Sequence, residues 1–335
     1  MFTIKYSISK NINFFKVIFS LLLIYSCSSD PVVEDPVVEY FTLTLGSGDG
    51  GDVSSVGGVY ESGESVSITA TSNSENAFTG WSNGSTDNPL QITLNQNITI
   101  SPIFEPAFSV SDEFESLLFT LELGTVVDGK ILTSSINTIT ELDLSETNTE
   151  VNNGPLINID GIENFSNLRK LICDRQSLRQ VDLSQNNNLE YVQLQNNNLS
   201  SINISNLTYL EKLYLTGNNL GTISIEENTL LTWLTVGQNF LSSIDLSENN
   251  RLNYLSIKQN PLESIDLSNQ VMITNLFLNE TLLSSLDVSM INNLNELDVL
   301  QNSTLTCVKV SQSQLDNKVL NWNNDLTLSF NLDCQ

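Results

Sequence analysis

Beginning at Leu168, a leucine-type residue returns every 21 positions, at Leu189, Leu210, Leu231, Leu252, Ile273 and Leu294. Each return opens the same phrase, L-x-x-L-x-L-x-x-N-x-L followed by x-x-I-x-L. In the unit starting at Leu189, the residues Leu189, Val192, Leu194, Leu199, Ile202 and Ile204 can all point inward only if the chain coils back on itself once per unit. One coil cannot bury such a stripe, whereas stacked coils cover one another's apolar faces. The segment around Val192 and Leu194 then forms a strand that pairs in parallel with the next coil about 4.8 Å away. Asparagine holds the ninth place of most units, as Asn197, Asn218, Asn239, Asn260 and Asn302. An amide there satisfies turning backbone in its own and adjacent coils. Gln176 and Thr281 replace it in two units. Glutamine serves the same purpose; threonine weakens the ladder locally.

Over residues 139–305 this phrase resembles the leucine-rich repeat family, in the short 21-residue form of bacterial surface proteins such as internalins. The resemblance implies a leucine-rich repeat solenoid: a curved parallel β-sheet of the short-repeat type. An earlier coil opens with Ile139-Thr-Glu-Leu142-Asp-Leu144 and is 29 residues long. Its later part, Ile159-Asp-Gly-Ile162-Glu-Asn-Phe165-Ser-Asn-Leu168, is similar to the G-I-E-x-x-x-N-L phrase of internalin-type repeats and predicts a helical turn on the convex side.

Upstream, in residues 40–105, apolar residues alternate instead: Phe41, Leu43, Leu45; Val66, Ile68, Ala70; Leu90, Ile92, Leu94; Ile98, Ile100. Short strands between Gly, Asn and Ser clusters predict a small N-terminal all-β module. Gly57-Gly-Val-Tyr60, Gly63, Phe78-Thr-Gly-Trp81, Asn88-Pro-Leu90 and Phe104 resemble the internalin-type B repeat, a β-grasp-like module, with a departure at Ser72. Such modules serve as spacers or weak adhesive units, so Trp81 is read as core rather than as a ligand platform. In residues 106–138, Asp112-x-x-Glu115 reads as a capping box, with Phe114, Leu117, Leu118 and Leu121 at helical spacing. A helix there caps the first coil.

Residues 1–26 carry Lys5, Lys10 and Lys16, no acid, and a short apolar run from Val17 to Tyr25. That run is too short to span a bilayer, which needs about 20 residues, and reads as a secretory signal. Ile24-Tyr25-Ser26-Cys27 resembles the lipobox of bacterial lipoproteins, which makes Cys27 the lipidated first residue of the mature chain; the alternative is an ordinary signal with an incidental cysteine. Residues 27–39, in which Pro31-Val-Val-Glu34 repeats as Pro36-Val-Val-Glu39, form an acidic, proline-containing tether. The destination this implies is the outer membrane of a Gram-negative bacterium, lipid-anchored and facing the exterior. Cys307 and Cys334 bracket the segment after the last full repeat, and a bridge there would staple residues 306–335 as a C-terminal cap, worth about 3 kcal/mol. Cys173 falls on an inward position, as a buried, inert thiol.

The chain has no histidine, which removes the commonest general base, the Ser-His-Asp arrangement and histidine zinc sites. No phosphate-cradling glycine loop is present, and the expected protein is not an enzyme and needs no cofactor. Net charge is −26, and removal of the signal's lysines takes it to −29, a field that opposes nucleic acid and anionic membrane surfaces. Asp182, Asp245, Asp266 and Asp287 share one place in the unit, with Asn203 and Ser224 in the gaps. They read as a solvated face, a weak divalent-cation site being the alternative, and no metal site is assigned.

The third and fifth residues of each unit are the open positions of the concave strand. They place Tyr191, Tyr214, Trp233, Tyr254 and Phe277 in a stripe across five adjacent strands, about 19 Å long. These positions alternate with inward leucines, so the rings belong outside the core. Exposed aromatics gathered on one face mark recognition, although large residues could also merely cover the sheet. With Lys212 and Lys258 they form the candidate ligand site. The leading reading is a non-enzymatic surface lipoprotein, an adhesin or capture protein, binding a protein or glycan ligand on its concave face. The alternatives are a glycan-binding accessory of a polysaccharide uptake system and a purely structural envelope protein.

Overall fold

The computed structural model describes residues 37–127, 129–145, 155–317 and 322–334. The signal segment, Cys27 and most of the tether lie outside the described residues.

Residues Tyr40–Gln335 form one compact unit. Its first part is the expected small all-β module. The strand Tyr40–Leu45 pairs antiparallel with Gly58–Glu61 and parallel with Ile98–Ile100. Ser65–Ile68 pairs with Leu90–Thr93, and Asn76–Trp81 with Pro102–Phe108. Leu43, Ile68, Phe78, Trp81, Leu94 and Ile100 fill its core. Trp81 is 1% exposed, and its Nε1 donates to the Asp87 carbonyl at 2.9 Å, so it is a structural residue. The strand Pro102–Phe108 runs through the expected boundary at residue 105, because it also pairs with Lys130–Leu132 of the following segment.

The helix Asp112–Thr120 forms where its apolar spacing predicted, but its cap differs. Ser111, not Asp112, is the N-cap: its Oγ accepts from the Phe114 N–H at 3.3 Å. Asp112, Glu113 and Glu115 lie in the first turn, where carboxylates suit the positive end of the helix dipole. Phe114, Leu117 and Leu118 are buried, whereas Leu121 falls at the C-cap and is 36% exposed. Phe114 stacks on Phe165 at 6.2 Å, so the helix closes the end of the repeat core.

From there the chain coils. Glu141–Asp143, Lys170–Ile172, Tyr191–Gln193, Lys212–Tyr214, Trp233–Thr235, Tyr254–Ser256, Asn275–Phe277, Glu296–Asp298 and Trp322–Asn323 form one nine-stranded sheet. All its pairings are parallel, and from Lys170 to Glu296 each residue faces the one 21 positions on, as in Tyr191↔Lys212 and Trp233↔Tyr254. Leu171, Val192, Leu213, Leu234, Leu255, Leu276 and Leu297 point inward and are fully buried. The longer first coil carries a 3-10 turn, Ile162–Asn164, as expected.

Polar side chains inside the solenoid hold the coils in step. The Asn218 Nδ2 donates to the Leu194 and Leu215 carbonyls, each at 2.9 Å, while its Oδ1 accepts from the Leu199 N–H at 3.0 Å. Asn197, Asn239 and Asn260 repeat this pattern, and Gln176 spans the longer coil from the Leu144 carbonyl to the Leu156 N–H. At Thr281 the pattern breaks: its hydroxyl reaches the Leu278 carbonyl of its own coil and Asn302, and makes no bond to the preceding coil. A second buried amide row, Asn186, Asn228, Asn249 and Gln270, bonds carbonyls on the other side of the coil, among them Ile162, Ile204, Ile225 and Leu246. Each unit's eighth residue has left-handed backbone: Arg175, Asn196, Gln238, Gln259, Glu280 and Gln301, with Gly217 the one glycine among them.

The C-terminal segment closes the solenoid on both sides. Trp322–Asn323 extends the concave sheet, while Cys307–Lys309 pairs with Leu286–Asp287 and Ser329–Asn331. Cys307 and Cys334 are joined in a disulfide, and Cys173 is buried, its thiol pushed well above the ordinary range first by burial and then by Asp174 and Asp143.

Loss of the Asn218 amide leaves the Leu199 N–H unpaired, while the Leu194 and Leu215 carbonyls each lose one of two donors and keep Asn197 and Asn239 respectively. Asn218→Ala is expected to lower the free energy of unfolding by about 2 kcal/mol, and Thr281→Asn, which restores the missing rung, to raise it by about 1 kcal/mol. Urea unfolding of the full chain measures both.

Candidate functional site

On the concave face, the third and fifth residues of adjacent coils stand in columns because the register slips by no residue. Tyr191, Tyr214, Trp233, Tyr254 and Phe277 lie on this one face, each half-buried. They touch in series. Ring centroids are 5.2 Å apart from Tyr191 to Tyr214, 6.1 Å from Tyr214 to Trp233, 3.7 Å from Trp233 to Tyr254 and 5.2 Å from Tyr254 to Phe277. Trp233 and Tyr254 are parallel to within 4°.

The ladder is continuous because small residues make room for it. Between Tyr214 and Phe277 the fifth-position column holds Thr235 and Ser256, both buried, and there the series continues through the third-position rings of Trp233 and Tyr254. Only Trp233 and Tyr254 stack face to face; the other neighbouring rings are tilted by 35–36°. The ladder has a cost: Trp233 Nε1 and Thr235 Oγ1 are buried without a hydrogen-bond partner.

Charges surround the rings. Lys170 bonds Glu141 at 3.3 Å and sits 5.7 Å above the Tyr191 ring. The Tyr191 hydroxyl donates to Gln193 Oε1, whose amide nitrogen donates to Asp174, and Asp174 also accepts from the Gln195 N–H at 2.7 Å. Lys212 is exposed beside Trp233 in the sheet register and forms no ion pair among the described residues. Lys258 lies off the ladder proper, its stem against Gly237 of the preceding coil, where a Cβ would meet it at 3.0 Å. Glu296 and Asp298 close the far end; Glu296 accepts from the Asn275 amide at 2.7 Å.

The aspartate column has a structural explanation. Asp182, Asp245, Asp266 and Asp287 each accept, through Oδ1, the N–H of the serine two residues on, at 2.9 Å. For Asp182, Asp245 and Asp266 that backbone bond is the main cause holding the carboxyl below its usual range. Asn203 makes the same turn to Ser205 at 3.2 Å. Among the described residues no cluster of three or more ligand-type side chains could hold a metal ion.

A cleft that the sequence reading did not single out opens on the rim, where the strands begin. It has a volume of 640 Å3 and is lined by Tyr209, Asn167, Asn188, Thr140 and the pair Arg169–Glu190, among others. The signal was present: the last place of each unit reads Asn167, Asn188, Tyr209, an aromatic following two amides on a surface row.

Residues 41–108 match the family of divergent InlB B-repeat domains. Among solved structures, the chain is similar to a leucine-rich repeat protein of Leptospira interrogans, at 20% identity and TM-score 0.50 over 64% of this chain and 53% of that one. The fold is a leucine-rich repeat solenoid. The functional domain of InlJ from Listeria monocytogenes aligns at 25% identity and TM-score 0.47, over 59% of this chain and 50% of that one. An internalin C2 of the same organism aligns at 21% identity and TM-score 0.44, over 59% of this chain and 92% of that one. The chain thus spans about half the length of the first two. No curated protein matches it.

Burial, the first cause in each case, pushes the Tyr191 and Tyr254 hydroxyls above their ordinary range and Tyr214 up to about 12. A raised folded-state value favours the protonated phenol, so this stabilisation is complete below pH 10 and is lost as pH rises toward about 12. Ultraviolet titration of the phenolates is expected to show a late-ionising class of tyrosines that disappears in denaturant, with stability to urea falling over that interval.

Proposed function

We propose that this chain is a non-enzymatic binding protein of the cell surface that recognises its partner with the concave aromatic ladder. The observation that carries this reading is the unbroken series of five half-buried rings on one wall of the sheet, with two buried polar atoms left unpaired beneath it. A wall selected only for stability would place aliphatic residues there and avoid that cost. Rings that are preformed and packed against one another supply amphipathic contact area at little entropic cost, as hot spots of protein interfaces do. A sugar ring instead packs on an open aromatic face, and at the centre of this ladder the facing sides of Trp233 and Tyr254 are taken by each other. The favoured ligand of the concave wall is therefore a protein. The lipidated Cys27, the acidic tether and an outward-facing place on the outer membrane complete the proposal, supported by the signal-like start of the chain.

Trp233→Ala combined with Tyr254→Ala removes the stacked centre and leaves the inward leucines intact. Binding of the mature chain to whichever surface proteins it captures is expected to weaken by tenfold or more, with the melting temperature little changed. Unchanged binding would move the site elsewhere. Protease treatment of intact cells tests the outward orientation, which requires that the chain be cleaved while periplasmic proteins survive.

A further inference from the structure

The rim cleft differs from the concave wall in kind. Tyr209 is 57% exposed, so its ring is open to solvent rather than stacked in a series. The groups around it are planar and paired in donor and acceptor character. The Asn167 amide nitrogen is fixed on the Asn137 carbonyl at 2.6 Å, and that of Asn188 on the Ser166 carbonyl at 2.9 Å. No protein group among the described residues donates to either amide oxygen. Arg169 gives both its Nε, at 2.9 Å, and one terminal nitrogen to a single oxygen of Glu190. The other carboxylate oxygen and the other guanidinium nitrogen bond no protein group among the described residues. The charges of this pair cancel, and no other ionisable group with a charge at neutral pH lines the cleft.

A ligand matched to these groups needs a flat apolar face for Tyr209. It also needs neighbouring groups that each donate and accept a hydrogen bond, since acceptor oxygens and guanidinium donors lie together here. It should carry no net charge, because the cleft holds no unpaired cation and the chain's net charge of −26 repels anions. Vicinal hydroxyls on a pyranose ring meet all three conditions. We propose that the rim cleft binds a neutral oligosaccharide, with one sugar ring lying on Tyr209 and its hydroxyls held by Asn167, Asn188 and the Arg169–Glu190 pair. A volume of 640 Å3 is within the range of small-ligand sites. A second cleft of 290 Å3 shares Thr140, Arg169 and Glu190 and reaches Lys170 and Tyr191. A chain of two or more sugars therefore crosses the ion pair toward the first ring of the concave ladder. This site is independent of the protein-binding role of that ladder.

The test applies the mature chain, held by its N-terminal tether, to an array of defined neutral oligosaccharides built from glucose, mannose, galactose and N-acetylglucosamine. Hyaluronan and heparin fragments serve as acidic comparisons. At least one neutral oligosaccharide is expected to be retained and the acidic fragments not. Tyr209→Ala and Asn188→Ala should each weaken that binding tenfold or more, Tyr209→Phe should keep it, and Trp233→Ala with Tyr254→Ala should leave it unchanged. Intermolecular proton contacts between the wild-type Tyr209 ring and the bound sugar locate the site without any variant. Retention of no neutral sugar at millimolar concentration, equal binding by Tyr209→Ala, preference for acidic fragments, or loss of binding only in the Trp233/Tyr254 double variant would each overturn the proposal; the last would instead assign the sugar to the concave wall.

Discussion

The structure depends on the return of each coil to its neighbour with no slip in register, and the buried amides enforce that return. A turn packed inside a solenoid carries N–H and C=O groups that water cannot reach, and each left unpaired costs about 1–3 kcal/mol. Asn197, Asn218, Asn239 and Asn260 each take an N–H 19 residues back and give to a carbonyl 24 residues back. Only a coil of fixed length satisfies both bonds at once. The leucines supply the driving force for stacking but would tolerate small slips; the amides would not. Asn186, Asn228, Asn249 and Gln270 apply the same constraint on the opposite side.

Fixed register turns sequence position into surface position. A residue at the third or fifth place of a coil stands beside its counterpart in the next, so a change of one side chain changes one known spot on the wall. The aromatic ladder uses this. Tyr214 and Phe277 occupy one column, Tyr191, Trp233 and Tyr254 the other, and the small residues Thr235 and Ser256 stand where the two columns merge into one series. The same rule makes the rim row Asn167, Asn188, Tyr209 a continuous surface.

Periodicity made the columns legible, because it reports which residues share a place in the coil. It carried the solenoid, the inward leucines, the ninth-position amides, the single concave face of the five aromatics and the weak rung at Thr281. Features that break the period or depend on side-chain torsion were not legible. The second amide row was hidden because Leu207 and Ile291 interrupt it. The helix cap was misplaced by one residue because Ser111 and Asp112 are both good N-caps, and only the backbone angle of Ser111 decides between them. The left-handed eighth position is mostly Arg, Gln and Glu, residue types that give no such signal, and only Asn196 and Gly217 hint at it. Which aromatic rings would stack and which would tilt depends on how neighbours lean on one another, which no spacing records.

The rim cleft and the approach to the concave ladder meet at the Arg169–Glu190 pair. That pair joins consecutive coils and forms a wall common to the rim cleft and to the cleft leading to Tyr191. Exposed ion pairs contribute about 0–1 kcal/mol, so stability alone is a weak reason for one there. The rim cleft also takes Asn137 and Thr138 from the junction between cap and first coil. An uncapped solenoid end would fray and carry that junction with it. The helix Asp112–Thr120, by stacking Phe114 on Phe165, fixes the first coil and with it the floor on which Asn167 and Arg169 stand. The cap therefore supports the rim cleft as much as it completes the fold, and the module before it, joined through Pro102–Phe108 and Lys130–Leu132, is continuous with that support.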